Sequence, residues 1–200
     1  MKSWIVTGGP GCGKSTVSRW LGELAAPHTV CFSADDAVAA AYSDMGVQKA
    51  LDEAFRPPMA SGEKLTRSWL RDHVLPDQAK RRHLEGIIHP IVLQALENAR
   101  STAALSGANL FVAEVPLHYE IGGTVSADLV IVVAASRSVQ VRRMMEKRGL
   151  DEQAVHAFLN AQWPIEAKAE RADVVIWNDG DIPALEAQVL TLTNRLRDHE

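Results

Sequence analysis

Gly8-Gly9-Pro10-Gly11-Cys12-Gly13-Lys14-Ser15 has the spacing G-x-x-x-x-G-K-S, and each residue type in it meets a need of phosphate chemistry. Glycines let the backbone turn its amides inward around phosphate oxygens. A helix starting at the end of such a loop adds amides outside its own ladder and a positive dipole end. Lys14 supplies a cation able to reach β and γ phosphates, Ser15 a hydroxyl for Mg2+, and Thr16 a second hydroxyl behind it. The context is the required one. The apolar run Trp4-Ile5-Val6-Thr7 precedes the loop, and Val17, Trp20, Leu21 and Leu24 recur at helical spacing after it. Nucleoside triphosphate binding is expected, with Gly9, Pro10, Gly11, Cys12, Gly13, Lys14, Ser15 and Thr16 around the donor phosphates. Cys12 reads as a small filler, not a nucleophile. The loop alone leaves the acceptor open: water makes an NTPase, a small hydroxyl compound a kinase, a protein a switch or motor.

Acceptor-side groups follow the other apolar runs. Asp35 lies just past Thr29-Val30-Cys31-Phe32, and open sheets gather ligands beyond the carboxyl ends of their strands. A carboxylate there can accept the proton of an attacking hydroxyl or hold Mg2+ through water. Neighbouring Asp36 reads equally as the residue that opens the next helix. Glu114 ends a third run, Leu110-Phe111-Val112-Ala113, where a second carboxylate on the Mg2+ side can sit. Glu120 can orient the acceptor or an arginine, Pro116 shapes the turn between them, and a solvated loop acid is the plainer reading of both glutamates. Lys64, Arg67, Arg71, Lys80, Arg81 and Arg82 suggest an anionic acceptor, with Arg67 the leading candidate. His89, before Pro90, either binds the acceptor or closes a turn. Arg143 and Lys147 are four apart and share a helix face. Such a helix can close over the nucleotide, neutralise transferring charge and exclude water. Asn178-Asp179-Gly180 after the last run is a turn, or a border for adenine; packing is the reading for all five tryptophans.

The elements that must position these groups alternate. Leu129-Val130-Ile131-Val132-Val133 and Val174-Val175-Ile176-Trp177 bring the apolar runs to five. Helical patterns cover 15–24, 91–105, 137–147, 151–161 (with Asp151 as its cap) and 182–196. This predicts an α/β fold with a parallel sheet and helices on both faces. Between Tyr42 and Pro90 no strand pattern occurs, and a mostly helical excursion is expected. The chain has 200 residues, 46% hydrophobic and 23% charged, which suits one globular domain and excludes a disordered or fibrous chain. A net charge of -4 gives no general nucleic-acid footprint. Two cysteines make neither a disulfide framework nor a zinc site. No apolar run is long enough to span a membrane. The first residues enter a strand without a signal-peptide profile, so a cytoplasmic location is expected.

These pieces together resemble the dephospho-coenzyme A kinase family. The resemblance runs from about Ile5 to Leu192 and rests on Thr7-Gly8-Gly9 with Gly13-Lys14-Ser15-Thr16, Ala34-Asp35, Leu65-Thr66-Arg67-x-x-Leu70, Leu84-Glu85-Gly86-Ile87-Ile88-His89-Pro90, Val115-Pro116-Leu117-x-x-Glu120, Gln140-x-x-Arg143, Gln162-x-Pro164 and Ala172-Asp173-x-x-Ile176-x-Asn178-x-Gly180. It implies a P-loop NTPase fold, a three-layer α/β/α domain with a five-stranded parallel sheet. To this it adds a helical acceptor-binding insertion at about 41–104 and a helical lid at 142–169. It implies transfer of the γ-phosphoryl group of ATP, with Mg2+, to the ribose 3′-hydroxyl of dephospho-CoA. Asp35 would be the base and Lys14 and Arg143 the catalytic cations. Arg67, His89, Pro116, Leu117 and Glu120 would lie about the acceptor, and Asn178 and Gly180 would border adenine. A monomer or weak homo-oligomer is implied, acting without membrane or nucleic acid. The chain departs from the family at Ser33, where an aspartate is usual, at His118 and Tyr119, at Lys147-Arg148 in the lid, and at Ala39-Ala40, which lack the usual arginine. Those departures keep two alternatives in view: a kinase of another small nucleotide or nucleoside, and a nucleotide-binding regulator with degraded transfer.

Overall fold

The five apolar runs form five strands: β1 (Lys2–Gly8), β2 (Thr29–Ser33), β3 (Leu110–Glu114), β4 (Leu129–Ala134) and β5 (Val174–Trp177). Every neighbouring pair is parallel, and the order across the sheet is β2-β3-β1-β4-β5. The three central strands are buried along most of their length, which is why their sequences are apolar without alternation. The edges are less covered. Trp177 on β5 is 44% exposed, so it departs from the packing expected of it. Gln188 accepts from the Trp177 amide (3.1 Å) and donates to its carbonyl (2.9 Å), so its amide stands in for a further strand.

The computed structural model describes residues 1–25, 27–55, 66–74 and 76–197; of Arg67, Arg71, Arg148, Leu196 and Arg197 only the backbone is described. The helices are α1 (Lys14–Leu24), α2 (Ala34–Ala41), α3 (Met45–Phe55), α4 (Arg67–His73), α5 (Gln78–Leu105), α6 (Arg137–Arg148), α7 (Glu152–Asn160), α8 (Ile165–Ala169) and α9 (Ile182–Arg197). Two units are separable: Met1–Ser33 with Arg100–Glu200, and Ala34–Ala99. The first holds the sheet, with helices on both sides of it. Val17 and Leu21 of α1 and Leu185 and Val189 of α9 join Val6, Val112 and Ile131 in one core. Met144, Val155 and Leu159 tie α6 to α7. As expected, Asp151 caps α7, its Oδ1 accepting from the Ala154 amide at 2.7 Å.

The described residues of the unit Ala34–Ala99 form helices and their connections, with their own core of Val47, Leu51, Leu70, Val74, Leu84 and Ile88. Two local expectations need correction. Helix α2 starts at Ala34, directly after β2, so Asp36 does not open it; Asp35 and Asp36 both sit in its first turn, where the dipole favours carboxylates. His89-Pro90 lies inside α5, not at a helix start. An internal proline costs about 3 kcal/mol through its missing N–H and ring clash. Burial of Leu84 and Ile88, with Ile87, Ile91 and Val92 packed beside them, offsets this, since each fully buried aliphatic side chain stabilises by about 1.5–3 kcal/mol.

Phe111 in β3 is fully buried. Phe111→Ala is expected to cost about 3–5 kcal/mol, read as a lower midpoint in urea denaturation followed by circular dichroism.

Candidate active site

The phosphate loop leaves β1 at the point where the chain's path across the sheet reverses. β2 and β3 lie to one side of β1, and β4 and β5 to the other. In open parallel sheets that is where the crevice for a ligand forms. Gly8, Gly11 and Gly13 have φ of 145°, 72° and 95°, values side-chain-bearing residues rarely adopt. Two of them also lack room: a Cβ on Gly8 would run into the Val133 carbonyl, and one on Gly13 would lie 2.5 Å from Asn178 Nδ2. At the start of α1 the Val17 amide donates to the Gly13 carbonyl at 3.2 Å. The amides before it precede the α-helical ladder, facing the loop with the positive end of the dipole. Lys14 Nζ crosses the loop and donates to the Gly9 carbonyl at 2.9 Å. Cys12 is fully buried, and burial pushes its thiol up despite the opposing charge of Lys14, which fits a filler.

Residues from distant strand ends brace this loop. Asn178, buried after β5, donates from Nδ2 to the Cys12 carbonyl at 2.8 Å. Its Oδ1 accepts from Arg143 Nη2 at 3.4 Å, while Arg143 Nη1 donates to the Gly11 carbonyl, also at 3.4 Å. A guanidinium from α6 thus stands on the loop beside Lys14. Gly180 lies in the exposed turn before α9. Asp179 does not face the loop; its carboxylate accepts from the Ser136 amide (2.7 Å) and the Trp177 indole (3.0 Å). Desolvation pushes its carboxyl up, but those hydrogen bonds and the charge of Arg143 outweigh it and hold the group below its ordinary range.

The carboxylates after β3 divide the work. Ser15 Oγ donates to Glu114 Oε1 at 2.9 Å, and Glu114 is only 8% exposed. The register also pairs Ser33, the departure at the end of β2, with Glu114. Glu120 meets a cation, and that cation is Lys168: Nζ lies 2.8 Å from Oε1, which also accepts from the Trp163 amide at 3.0 Å. Lys168 Nζ further donates to the carbonyls of Pro116 (3.1 Å) and Gly8 (3.4 Å). His118 is buried edge-on against Tyr119, with centroids 5.0 Å apart. Burial keeps its ring below the ordinary histidine range, outweighing the attraction of Glu120. Pro116 and Leu117 are half-buried in the same turn.

Residues 4–184 match the model of a family described as dephospho-CoA kinase. The dephospho-CoA kinase of Syntrophotalea carbinolica is 34% identical, over 96% of this chain and 90% of its own. That of Geobacillus kaustophilus is also 34% identical, over 94% and 92%. The chain belongs to the dephospho-CoA kinase family. A solved Thermus thermophilus protein, 30% identical, has the same fold, with a TM-score of 0.81 across 98% of this chain and 97% of its own. The phosphate-loop α/β fold read from the sequence is the fold of this chain.

The loop residues, Glu120 and Arg143 all lie in the sheet unit, Arg143 on the Gly11 carbonyl and Glu120 joined to Gly8 through Lys168. Asp35 and His89 belong to the helical unit Ala34–Ala99: Asp35 is exposed in the first turn of α2, and His89 is half-buried in α5. The side chains of Arg67 and Arg148 lie outside the described residues, while Lys147 is exposed on α6. Lys168 was not among the residues singled out in the sequence. In the segment Ile165-Glu166-Ala167-Lys168-Ala169 it reads as a solvated lysine, yet it is fully buried. The available signal was its i+3 spacing from apolar Ile165, which shares its face.

With φ of 95° and no room for a Cβ at Gly13, Gly13→Ala is expected to weaken ATP binding by about tenfold or more, from strain of about 1–3 kcal/mol. Isothermal titration with a non-hydrolysable ATP analogue measures it, and unchanged affinity would remove the loop from the donor site.

Proposed function

We propose that this chain transfers the γ-phosphoryl group of ATP to the ribose 3′-hydroxyl of dephospho-CoA, giving CoA and ADP. ATP-dependent phosphorylation of dephospho-CoA is the reaction of the family to which residues 4–184 belong. The observation that carries the reading is the loop itself, with Lys14 and Arg143 both set on its carbonyls. Two cations and a helix N-terminus at one loop suit a donor with several charged phosphates.

In the proposed transfer the loop amides and Lys14 hold the β and γ phosphates. The ribose oxygen attacks phosphorus in line, the bond to the bridging oxygen of ADP breaks, and ADP keeps that electron pair. Asp35 takes the hydroxyl proton. Arg143 neutralises charge on the phosphates as the bridge breaks. Arg67, His89, Pro116, Leu117 and Glu120 are assigned to the acceptor, Asn178 and Gly180 to the adenine border. The helical segment 41–104 is assigned to acceptor binding and 142–169 to the lid, whose closing keeps water from the phosphate. Mg2+ fits the donor set, since Ser15 and Glu114 offer hard oxygens already 2.9 Å apart; bound there, it would screen phosphate charge. Among the described residues no helix is long and apolar enough to cross a membrane; the chain is assigned to the cytoplasm, acting on a small molecule as a monomer or weak homo-oligomer.

A coupled assay with a panel of nucleoside and nucleotide acceptors tests this: ADP formation is expected to depend strictly on dephospho-CoA, and turnover of another acceptor alone would overturn the assignment. Asp35→Asn is expected to lower kcat roughly 10²–10⁴-fold while ATP affinity stays near that of the wild type. An unchanged kcat would take the proton-accepting role away from Asp35.

A further inference from the structure

Lys168 is the one lysine in the buried core of the described residues, and the mechanism above gives it nothing to do. A buried ammonium is costly unless its donors are met. Here Nζ has three acceptors on two distant stretches of chain: the Gly8 carbonyl on one, and the Pro116 carbonyl and Glu120 Oε1 on the other. Gly8 is the last residue of β1 before the loop turns; Pro116 and Glu120 lie in the turn after β3; Lys168 comes from α8, just after α7. The Pro116 carbonyl also accepts from Thr7 Oγ1 at 3.2 Å, and Glu120 Oε1 holds the Trp163 amide. One charge therefore joins the root of the phosphate loop, the turn after β3 and the segment 163–168.

What separates this from ordinary core packing is where the bonds land. The Gly8 residue is confined by the Val133 carbonyl, which leaves no room even for a Cβ. Its carbonyl is held by Lys168. The next carbonyl along, that of Gly9, takes the ammonium of Lys14. Consecutive carbonyls of the loop thus carry the two lysines, and the plane of the first peptide limits where the second can point. Lys14 must leave Gly9 to reach a phosphate, so the orientation of that peptide bears on how the donor is gripped.

We propose that Lys168 is a positioning residue of the donor site, fixing the entry of the phosphate loop through Gly8 and coupling it, through Glu120 and Trp163, to the segment that follows α7. It touches no substrate; it acts through Gly8 and Gly9. The proposal rests on the kinase reading above for its effect on turnover, but its effect on nucleotide binding stands apart from the acceptor.

The test uses the full chain and a fluorescent ATP analogue without acceptor, alongside steady-state turnover and thermal melting. Lys168→Met is expected to raise the dissociation constant about tenfold or more and to lower kcat about 10²-fold, the scale of a displacement of about 1 Å at a reacting centre. Leu192→Ala, a core truncation on α9, serves as control: it lowers the melting temperature and leaves the nucleotide dissociation constant unchanged. If Lys168→Met does not fold because Glu120 is left unpaired, Lys168→Met with Glu120→Gln removes that charge, and the same rise in dissociation constant is expected. Wild-type nucleotide affinity in either folded variant, whatever its melting temperature, overturns the proposal. A wild-type enzyme that binds the analogue but does not turn over dephospho-CoA counts against the kinase reading alone, and the affinity comparison still decides the role of Lys168.

Discussion

The structure depends on a stretch of backbone that most residues cannot adopt. Gathering amides around an anion requires positive φ at Gly11 and Gly13, and a chain in that conformation has no regular hydrogen-bond ladder to hold it. Its shape comes from outside. Val133 limits it at Gly8, Asn178 holds Cys12, Arg143 reaches Gly11, and Lys168 takes Gly8. These braces come from β4, from the end of β5, from α6 and from α8. Preorganised dipoles stabilise charge well because they need not reorganise when it arrives, and that preorganisation is here a property of the whole sheet unit.

The parallel sheet makes such convergence possible. With all five strands running one way, their carboxyl ends, and the loops leaving them, gather at one edge. Glu114 at the end of β3 thereby meets Ser15 at the start of α1, and Ser33 at the end of β2 stands in register with Glu114. With a hydroxyl at position 33, Glu114 is the buried carboxylate of that group. The central strands bear the demand for burial, and the loops beyond them are left to carry polar chemistry.

The helical unit follows a different rule. Three of its helices, α2, α3 and α4, are short, and its core of Leu51, Leu70, Leu84 and Ile88 draws one or two residues from each of α3, α4 and α5. No single helix there carries a strong signal along the chain. Pro90 within α5 illustrates the consequence: proline conventionally ends a helix, and the local pattern breaks at it, yet packing on both sides of it carries the helix through to Leu105.

Much of the chain's nature is written along it. Eight consecutive residues, 8–15, specify a phosphate loop because glycine freedom, a lysine and a hydroxyl must occur at fixed spacing. Five apolar runs specify the strands of a parallel sheet, and the three central ones lack alternation because they are covered on both faces. Asp151 is readable as a cap because its partner, Ala154, is three residues away. Partners far apart in the chain were decided only by the fold: Ser15 and Glu114 are separated by 99 positions, Lys168 and Gly8 by 160, Asn178 and Cys12 by 166. Periodicity reports which face of an element is buried, not what it is buried against. A lysine that looks solvated in sequence can therefore end as a buried ion behind the phosphate loop, since only the meeting of α8 with β1 and the turn after β3 brings it to the three acceptors that make its burial tolerable.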